Sequence, residues 1–272
     1  MIEAVRWRPF LRWFLRQGTS RLRASFGSVH VRGLDELREH AAEAPLLIIA
    51  NHTSWWDSLV ALWLSVEQLE DVAFYGMMDA ANLEKLRFFR WVGVFGVDRT
   101  SRRDGARVIR YALDLLRRRG TAIWMFPQGA ERRPHEPLKF EPGAAGIAKR
   151  APTVRVIPVA LSYVFEGEEK PNIYVSIGAA MPHGPEGAAD REAQAAAVEA
   201  ELAVIRTHLE TRSEAFIPIL QPESSALSAW ATSWLDRLAG WIIPRQHARR
   251  LVAAKDDTRV LRAASPTSLR EG

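Results

Sequence analysis

The sequence predicts an α/β fold: a single domain whose mixed β-sheet is covered by helices, with an amphipathic helix at each end. Two observations carry that prediction. Short apolar runs alternate with amphipathic stretches along most of the chain, as strands and helices do when they follow one another. At 272 residues and 47% hydrophobic content, the chain can bury about 75% of its unfolded surface without disulfide or metal staples.

Strands are read at 28–32, 46–50, 72–75, 94–97, 122–126, 155–161 and 173–177, each a short apolar run bounded by turn-forming or charged residues. Helices are read at 58–68, 80–90, 104–119 and 144–150, followed by a longer Ala/Glu-rich one at 188–211. Pro/Gly punctuation makes 181–187 and 218–224 loops. Pro158 sits inside an apolar run and has no N–H to give a neighbour, so that run is expected to be an edge or bulged strand. The resulting plan is a basic amphipathic helix in 1–27, a main domain over 28–215, a Trp-rich amphipathic helix in 216–250 and a flexible tail at 251–272.

The formal net charge of +5 is concentrated at the ends. Residues 1–23 carry six arginines against Glu3, residues 228–250 carry four against Asp236, and the remainder is net negative. After Pro9, which suits a first helical turn, Phe10, Leu11, Trp13, Phe14 and Leu15 spread over a wide apolar face opposite Arg12 and Arg16. In 227–242, Trp230, Trp234, Leu238 and Trp241 align in a narrower stripe. Each segment can pack on the domain or lie in a membrane interface, with tryptophan at the headgroups and arginine on anionic lipid, and two such ends favour the membrane. No apolar run approaches the roughly 18 residues that span a bilayer. Arginines also interrupt the segment where a signal peptide has an apolar block. The expected location is therefore cytoplasmic, peripheral on the membrane face. Nucleic acid is not expected as a partner, because the arginines flank Trp stripes and the middle of the chain is negative.

With no cysteine, thiolate nucleophiles, Cys-ligated zinc and disulfide frameworks are excluded. The sharpest chemical feature is Asn51-His52-Thr53-Ser54-Trp55-Trp56-Asp57, directly after an apolar run and before a helix. Neither helix nor strand brings residues five apart face to face, so only a turn can join His52 to Asp57. Joined, the carboxylate would accept the imidazole Nδ1–H and leave Nε2 as a general base. The alternative is a surface histidine and a helix-start aspartate. There is no G-x-S-x-G elbow and no dinucleotide or Walker glycine pattern. The other six histidines lack ligand spacing, and no metal is expected.

Three further blocks follow in order: Gly93-Val94-Phe95-Gly96-Val97-Asp98-Arg99, Phe126-Pro127-Gln128-Gly129, and Val156-Ile157-Pro158-Val159, with Phe140-Glu141-Pro142-Gly143-Ala144 between the last two. The set resembles the glycerolipid acyltransferase family, which includes the lysophosphatidate acyltransferases, over roughly 29–161. The resemblance implies transfer of a fatty acyl group from a thioester, acyl-CoA or acyl-carrier protein, to a hydroxyl of a lysophospholipid-type acceptor, with no cofactor beyond that co-substrate. His52 would be the base and Asp57 its orienter. Asn51, Arg99, Phe126, Pro127, Gln128, Gly129, Arg132 and Lys139 would bind substrate, Arg99 matching the arginine associated with the acceptor phosphate. The sequence departs from the family at Gln128, where glutamate is usual, at Glu131 and Glu141, where cations are usual, and at Gly96, where phenylalanine is usual. These changes open two alternatives: acylation of a non-phosphate lipid alcohol such as a glycolipid or carotenoid glycoside, or an inactive lipid-binding homologue.

Overall fold

The computed structural model describes residues 1–222 apart from Pro185 and Glu214. Its elements run α1 (Arg8–Ser25), β1 (Val29–Arg32), α2 (Leu34–Glu43), β2 (Leu46–Ala50), α3 (Trp56–Glu67), β3 (Ala73–Asp79), α4 (Ala80–Lys85), a 3-10 helix (Arg87–Val92), β4 (Val94–Val97) and α5 (Arg102–Leu115). Then come β5 (Thr121–Met125), α6 (Gly143–Ala148), β6 (Arg155–Val164), β7 (Asn172–Ile177), α7 (Arg191–Thr211) and β8 (Ile217–Leu220). The strands form one mixed sheet in the order β4-β3-β5-β2-β6-β7-β1-β8. From β4 to β6 every pairing is parallel; β7 runs antiparallel to β6, and β8 antiparallel to β1.

The central strand β2 has no exposed residue, as a parallel strand covered on both faces requires. Its side chains alternate: Leu46, Ile48 and Ala50 pack with residues of α1, α2 and α3, whereas Leu47 and Ile49 pack with residues of α5, α6 and α7. The polar turns after β2, β4 and β5 consequently emerge at one edge of the sheet, outside the carboxyl ends of parallel strands, where open α/β sheets hold ligands.

Several elements differ from the sequence reading. Pro158 is in an internal strand: β6 pairs with β2 through Ile49↔Pro158 and with β7 from Val159 onward. The Pro158 carbonyl accepts from Gly178 N–H beyond the end of β7, so the missing proline N–H faces a place where the ladder has already stopped. α2 was not anticipated, although Leu37 and Ala41 bury one face and Asp35 and Glu36 occupy the first turn. β3 extends to Asp79 because Gly76 to Asp79 pair with β4. The helix read at 80–90 is two pieces, α4 and the 3-10 helix, broken at Leu86, whose ψ of 51° leaves the helical region. The 3-10 helix sets Phe88, Phe89 and Trp91 against Phe10 and Phe14 of α1.

α1 is longer than the segment 10–17 and buries Leu11, Leu15 and Leu22 in the core, with Gly18 also buried at the contact with α3. A Cβ at Gly18 would come within 2.7 Å of Leu59 Cδ1, so a larger residue there would make the Leu59 side chain turn aside. Residues 217–220, read partly as loop and included in the C-terminal helical segment, form β8. The stripe of Trp230, Trp234, Leu238 and Trp241 lies outside the described residues, as does the tail at 251–272. No described helix is long and apolar enough to cross a membrane.

Candidate active site

The His52 turn is anchored at both ends by the sheet. Asn51, buried just past β2, donates from Nδ2 to the Leu161 carbonyl at 2.9 Å and accepts the Leu161 N–H on Oδ1 at 2.8 Å. A side-chain amide thus continues the β2–β6 ladder for one more step and holds the chain where it leaves the sheet. The His52 N–H donates to Gln128 Oε1 at 2.6 Å, and the His52 carbonyl accepts from the Arg132 N–H at 2.8 Å. Backbone bonds on both sides of the residue leave its side chain little freedom to swing.

Asp57, in the first turn of α3, is fully buried, and four donors meet its carboxylate. Oδ2 lies 2.9 Å from His52 Nδ1 and accepts the N–H groups of Thr53 at 2.7 Å and Ser54 at 2.9 Å. Oδ1 accepts the Tyr163 hydroxyl at 2.5 Å. Two of these donors are backbone N–H groups of the turn itself, so the carboxylate is fixed in place by the chain that carries it. The tautomer that satisfies it carries the imidazole proton on Nδ1, leaving Nε2 able to accept one. Burial, reinforced by the Asp57 charge and hydrogen bond, pushes the Tyr163 hydroxyl far above its ordinary value, so it remains a donor at any working pH.

β5 supplies the opposite wall. Phe126 stacks on the His52 ring, with centroids 4.5 Å apart and planes at 25°. Pro127 follows, its carbonyl accepting from Glu141 N–H, and ties the turn to the segment that leads into α6. Gly129 has φ +70°, and a Cβ there would lie 2.5 Å from Arg99 Nη2. Glycine is favoured here by the backbone, and a side chain would displace the Arg99 guanidinium lying across it, whose Nη1 donates to the Gly129 carbonyl. Arg99 leaves β4 for this edge and stays exposed. Arg132 reaches the site through its backbone N–H while its side chain is exposed; Lys139 is exposed, and no contact ties it to the His52 turn.

On the other side of Phe126, an apolar cavity of about 220 Å³ lies between α1, α3 and the strands β3, β4 and β5. Phe14, Leu62, Phe74, Met78 and Trp124 line it, and Phe126 belongs both to its wall and to the His52 stack. Gln17, Arg21 and Ser58 are among its few polar contributors. Among the described residues, no group of three His, Asp or Glu side chains is placed to hold a metal ion.

Two features were not found from sequence. Tyr163 stands 106 positions from Asp57 and joins it only because β6 lies beside β2. The cavity depends on α1 closing over α3, and no local pattern announces it. Gln128 was noticed as a departure from glutamate, but its action on the His52 N–H could not be read from the motif.

Residues 28–162 match the family model described as Acyltransferase. A Streptococcus pneumoniae protein named 1-acyl-sn-glycerol-3-phosphate acyltransferase is 28% identical over 137 residues, 49% of this chain and 47% of that protein. The Caenorhabditis elegans protein named "Putative 1-acyl-sn-glycerol-3-phosphate acyltransferase acl-2" is 27% identical over 140 residues, 48% of this chain and 46% of its own length. The alignments thus span about half the length of each relative. The matched stretch holds the whole His52 turn, the Arg99 strand end and the Gln128 turn, and on that match the chain belongs to the acyltransferase family.

Proposed function

We propose that the chain transfers a fatty acyl group from an acyl thioester, acyl-CoA or acyl-carrier protein, to a hydroxyl of a lipid acceptor of the lysophospholipid or glycerol-phosphate type. The observation that carries this reading is a His–Asp pair separated from an apolar cavity by one side chain, Phe126, which stacks on His52 and lines the cavity. The cavity suits an alkyl chain, and the free Nε2 suits a proton acceptor beside it. In the reaction, the acceptor oxygen attacks the thioester carbonyl as its proton passes to His52 Nε2. The tetrahedral adduct then collapses, the C–S bond breaks, and the departing sulfur takes the proton back. Asp57 stabilises the imidazolium that exists between the two transfers. The protein forms no covalent intermediate.

Arg99, held on the Gly129 carbonyl at the same edge, is the cation available to an acceptor phosphate. One observation favours an uncharged lipid alcohol instead. The Glu131 carboxylate, placed where the family usually has a cation, lies near enough to Tyr163 to disfavour its ionisation and would repel a phosphate from that side.

Access to a lipid acceptor is read from the exposed aromatic rim of α1 and the 3-10 helix. Trp7, Trp13 and Trp91 are 51%, 55% and 40% exposed around Phe10, and Arg8, Arg12 and Arg16 lie on the same helix. Such a surface fits an anionic membrane interface. The test is to incubate the protein with labelled acyl-CoA or acyl-carrier protein and a total lipid extract, and to identify products by mass spectrometry. A product that requires His52 supports the reading; no product from either donor in any lipid fraction would overturn it.

A further inference from the structure

The Asp57 carboxylate is divided between two clients. Oδ2 serves His52 and two backbone N–H groups of its own turn, while Oδ1 faces away from the imidazole and is reached by one hydroxyl, that of Tyr163. Tyr163 comes from the far end of β6, two residues past the Asn51 anchor on Leu161 and one residue past the end of the family match at 162. Its half-buried ring packs at a tilt against Phe26, with centroids 5.7 Å apart, and Phe26 in turn meets Trp56 edge-on at 4.9 Å. The hydroxyl therefore cannot be redirected by a side-chain rotation that keeps this packing.

We infer that Tyr163 is a positioning residue that draws on the Asp57 carboxylate from the side opposite His52 and so sets how firmly the His52–Asp57 pair holds a proton. The inference rests on His52 acting as the base. A carboxylate shared with a strong O–H donor has less electron density to offer the imidazole. The imidazolium that forms during attack is still stabilised through Oδ2, but less strongly than by a carboxylate that serves His52 alone. Without the tyrosine hydroxyl, Oδ1 would be a buried oxygen with no donor, and the anion would hold a protonated His52 more tightly.

The charged and titratable groups around the pair are few. Asp57 is in direct contact through Oδ2, Tyr163 through Oδ1, and Glu131 acts on Tyr163 from the turn after β5. Arg99 is bound to the Gly129 carbonyl on that same turn. Gln128 and Phe126, also beside His52, are uncharged, and Arg132, whose N–H donates to the His52 carbonyl, has an exposed side chain. Tyr163 is thus the group placed to tune the pair without touching substrate.

The experiment is to follow the His52 ring by NMR in the full chain with labelled histidine, assigned with His52→Gln, and in parallel to record kcat and kcat/KM against pH. Tyr163→Phe is expected to raise the His52 titration midpoint and the acidic limb of kcat/KM together by about one pH unit. The alkaline plateau of kcat should change by less than about tenfold. Fluorotyrosines of decreasing phenol pKa at position 163 keep the ring and its packing while strengthening the donor, and they should lower the midpoint in graded order. This series tests the inference even if Tyr163→Phe does not fold. A midpoint that stays put in both the phenylalanine variant and the fluorotyrosine series would overturn it. The NMR arm needs no turnover, so a chain that transfers no acyl group would refute the proposed function without deciding the role of Tyr163.

Discussion

Gln128 offers a sharp mutational test of the site, because the structure shows what its side-chain amide does beside His52. Its Oε1 accepts the His52 N–H at 2.6 Å, and the residue is 5% exposed. Gln128→Ala would leave a backbone N–H next to the imidazole without its acceptor, in a place with little water. Such a group costs about 1–3 kcal/mol. If that cost falls on the arrangement that reacts, kcat/KM should drop about 5–150-fold. Gln128→Glu keeps an acceptor oxygen at the same reach and should retain activity within about tenfold, the loss reflecting a second buried carboxylate near Asp57. The assay is acyl transfer from a labelled thioester at fixed acceptor, with thermal melting measured on the same preparations. An alanine variant equal to wild type, or a glutamate variant that falls with the alanine one, would refute the hydrogen-bond account of this position.

Other outcomes follow from the same geometry. Gly76 lines the cavity, and a Cβ there would already come within 3.2 Å of Phe74 Cζ, so Gly76→Leu should shift donor preference to shorter acyl chains, read from competing thioesters of different length. Gly129→Ala should destabilise the chain by about 1–2 kcal/mol, from its positive φ, and weaken any acceptor interaction that needs Arg99, because the new methyl would occupy guanidinium space. If the acceptor carries a phosphate, Arg99→Ala should lower catalytic efficiency about 10–150-fold for that acceptor and leave an uncharged alcohol unaffected. Replacing Trp7 and Trp13 by Asp should reduce binding to anionic vesicles about tenfold or more per folded molecule, with a lower melting temperature from their lost contacts with Phe10 scored separately.

Stability should fall on acidification in two stages that do not involve the active site. His30 is pushed below its ordinary value of 6.5 mainly by burial, partly opposed by Glu166. A histidine that is harder to protonate when folded contributes stability above its unfolded value, and that contribution is lost as pH falls below about 6.5. For Glu166, burial acts to raise the carboxyl, but hydrogen bonds from Tyr174, Asn172 and Arg212 outweigh it and bring it from 4.5 to about 2. Its contribution is complete above 4.5 and is lost as pH falls from there towards 2. Denaturant melts across this range should show both stages, and Glu166→Gln should diminish the lower one, which Asp98, Asp104 and Asp190, also held below their ordinary values by hydrogen bonds, share.

Sequence reached the fold through its strands. β2 and β5 are unbroken apolar runs because helices cover both faces, and such runs announce themselves. The His52–Asp57 contact was also approachable, since a spacing of five between strand and helix leaves a turn as the only way to join them. What escaped depends on distant chain. Whether proline interrupts a sheet depends on where the neighbouring strand stops, and at Pro158 β7 has already ended. The fourth donor to Asp57 comes from β6, and the cavity is walled by residues of α1, α3 and three strands that are far apart in the chain. Departures counted by residue type also misled: exchanging glutamate for glutamine at position 128 looks like a lost charge, but the hydrogen bond made here needs only an acceptor oxygen.

The central claim is that His52 takes the acceptor's proton. Its most direct test is the single-turnover rate of acyl transfer for His52→Ala against wild type, at saturating donor and acceptor, on preparations with matching melting temperatures. The account predicts a rate lower by about 10²–10⁴-fold, with vesicle binding unchanged. A His52→Ala rate within a few-fold of wild type, in preparations free of other acyltransferases, would contradict it.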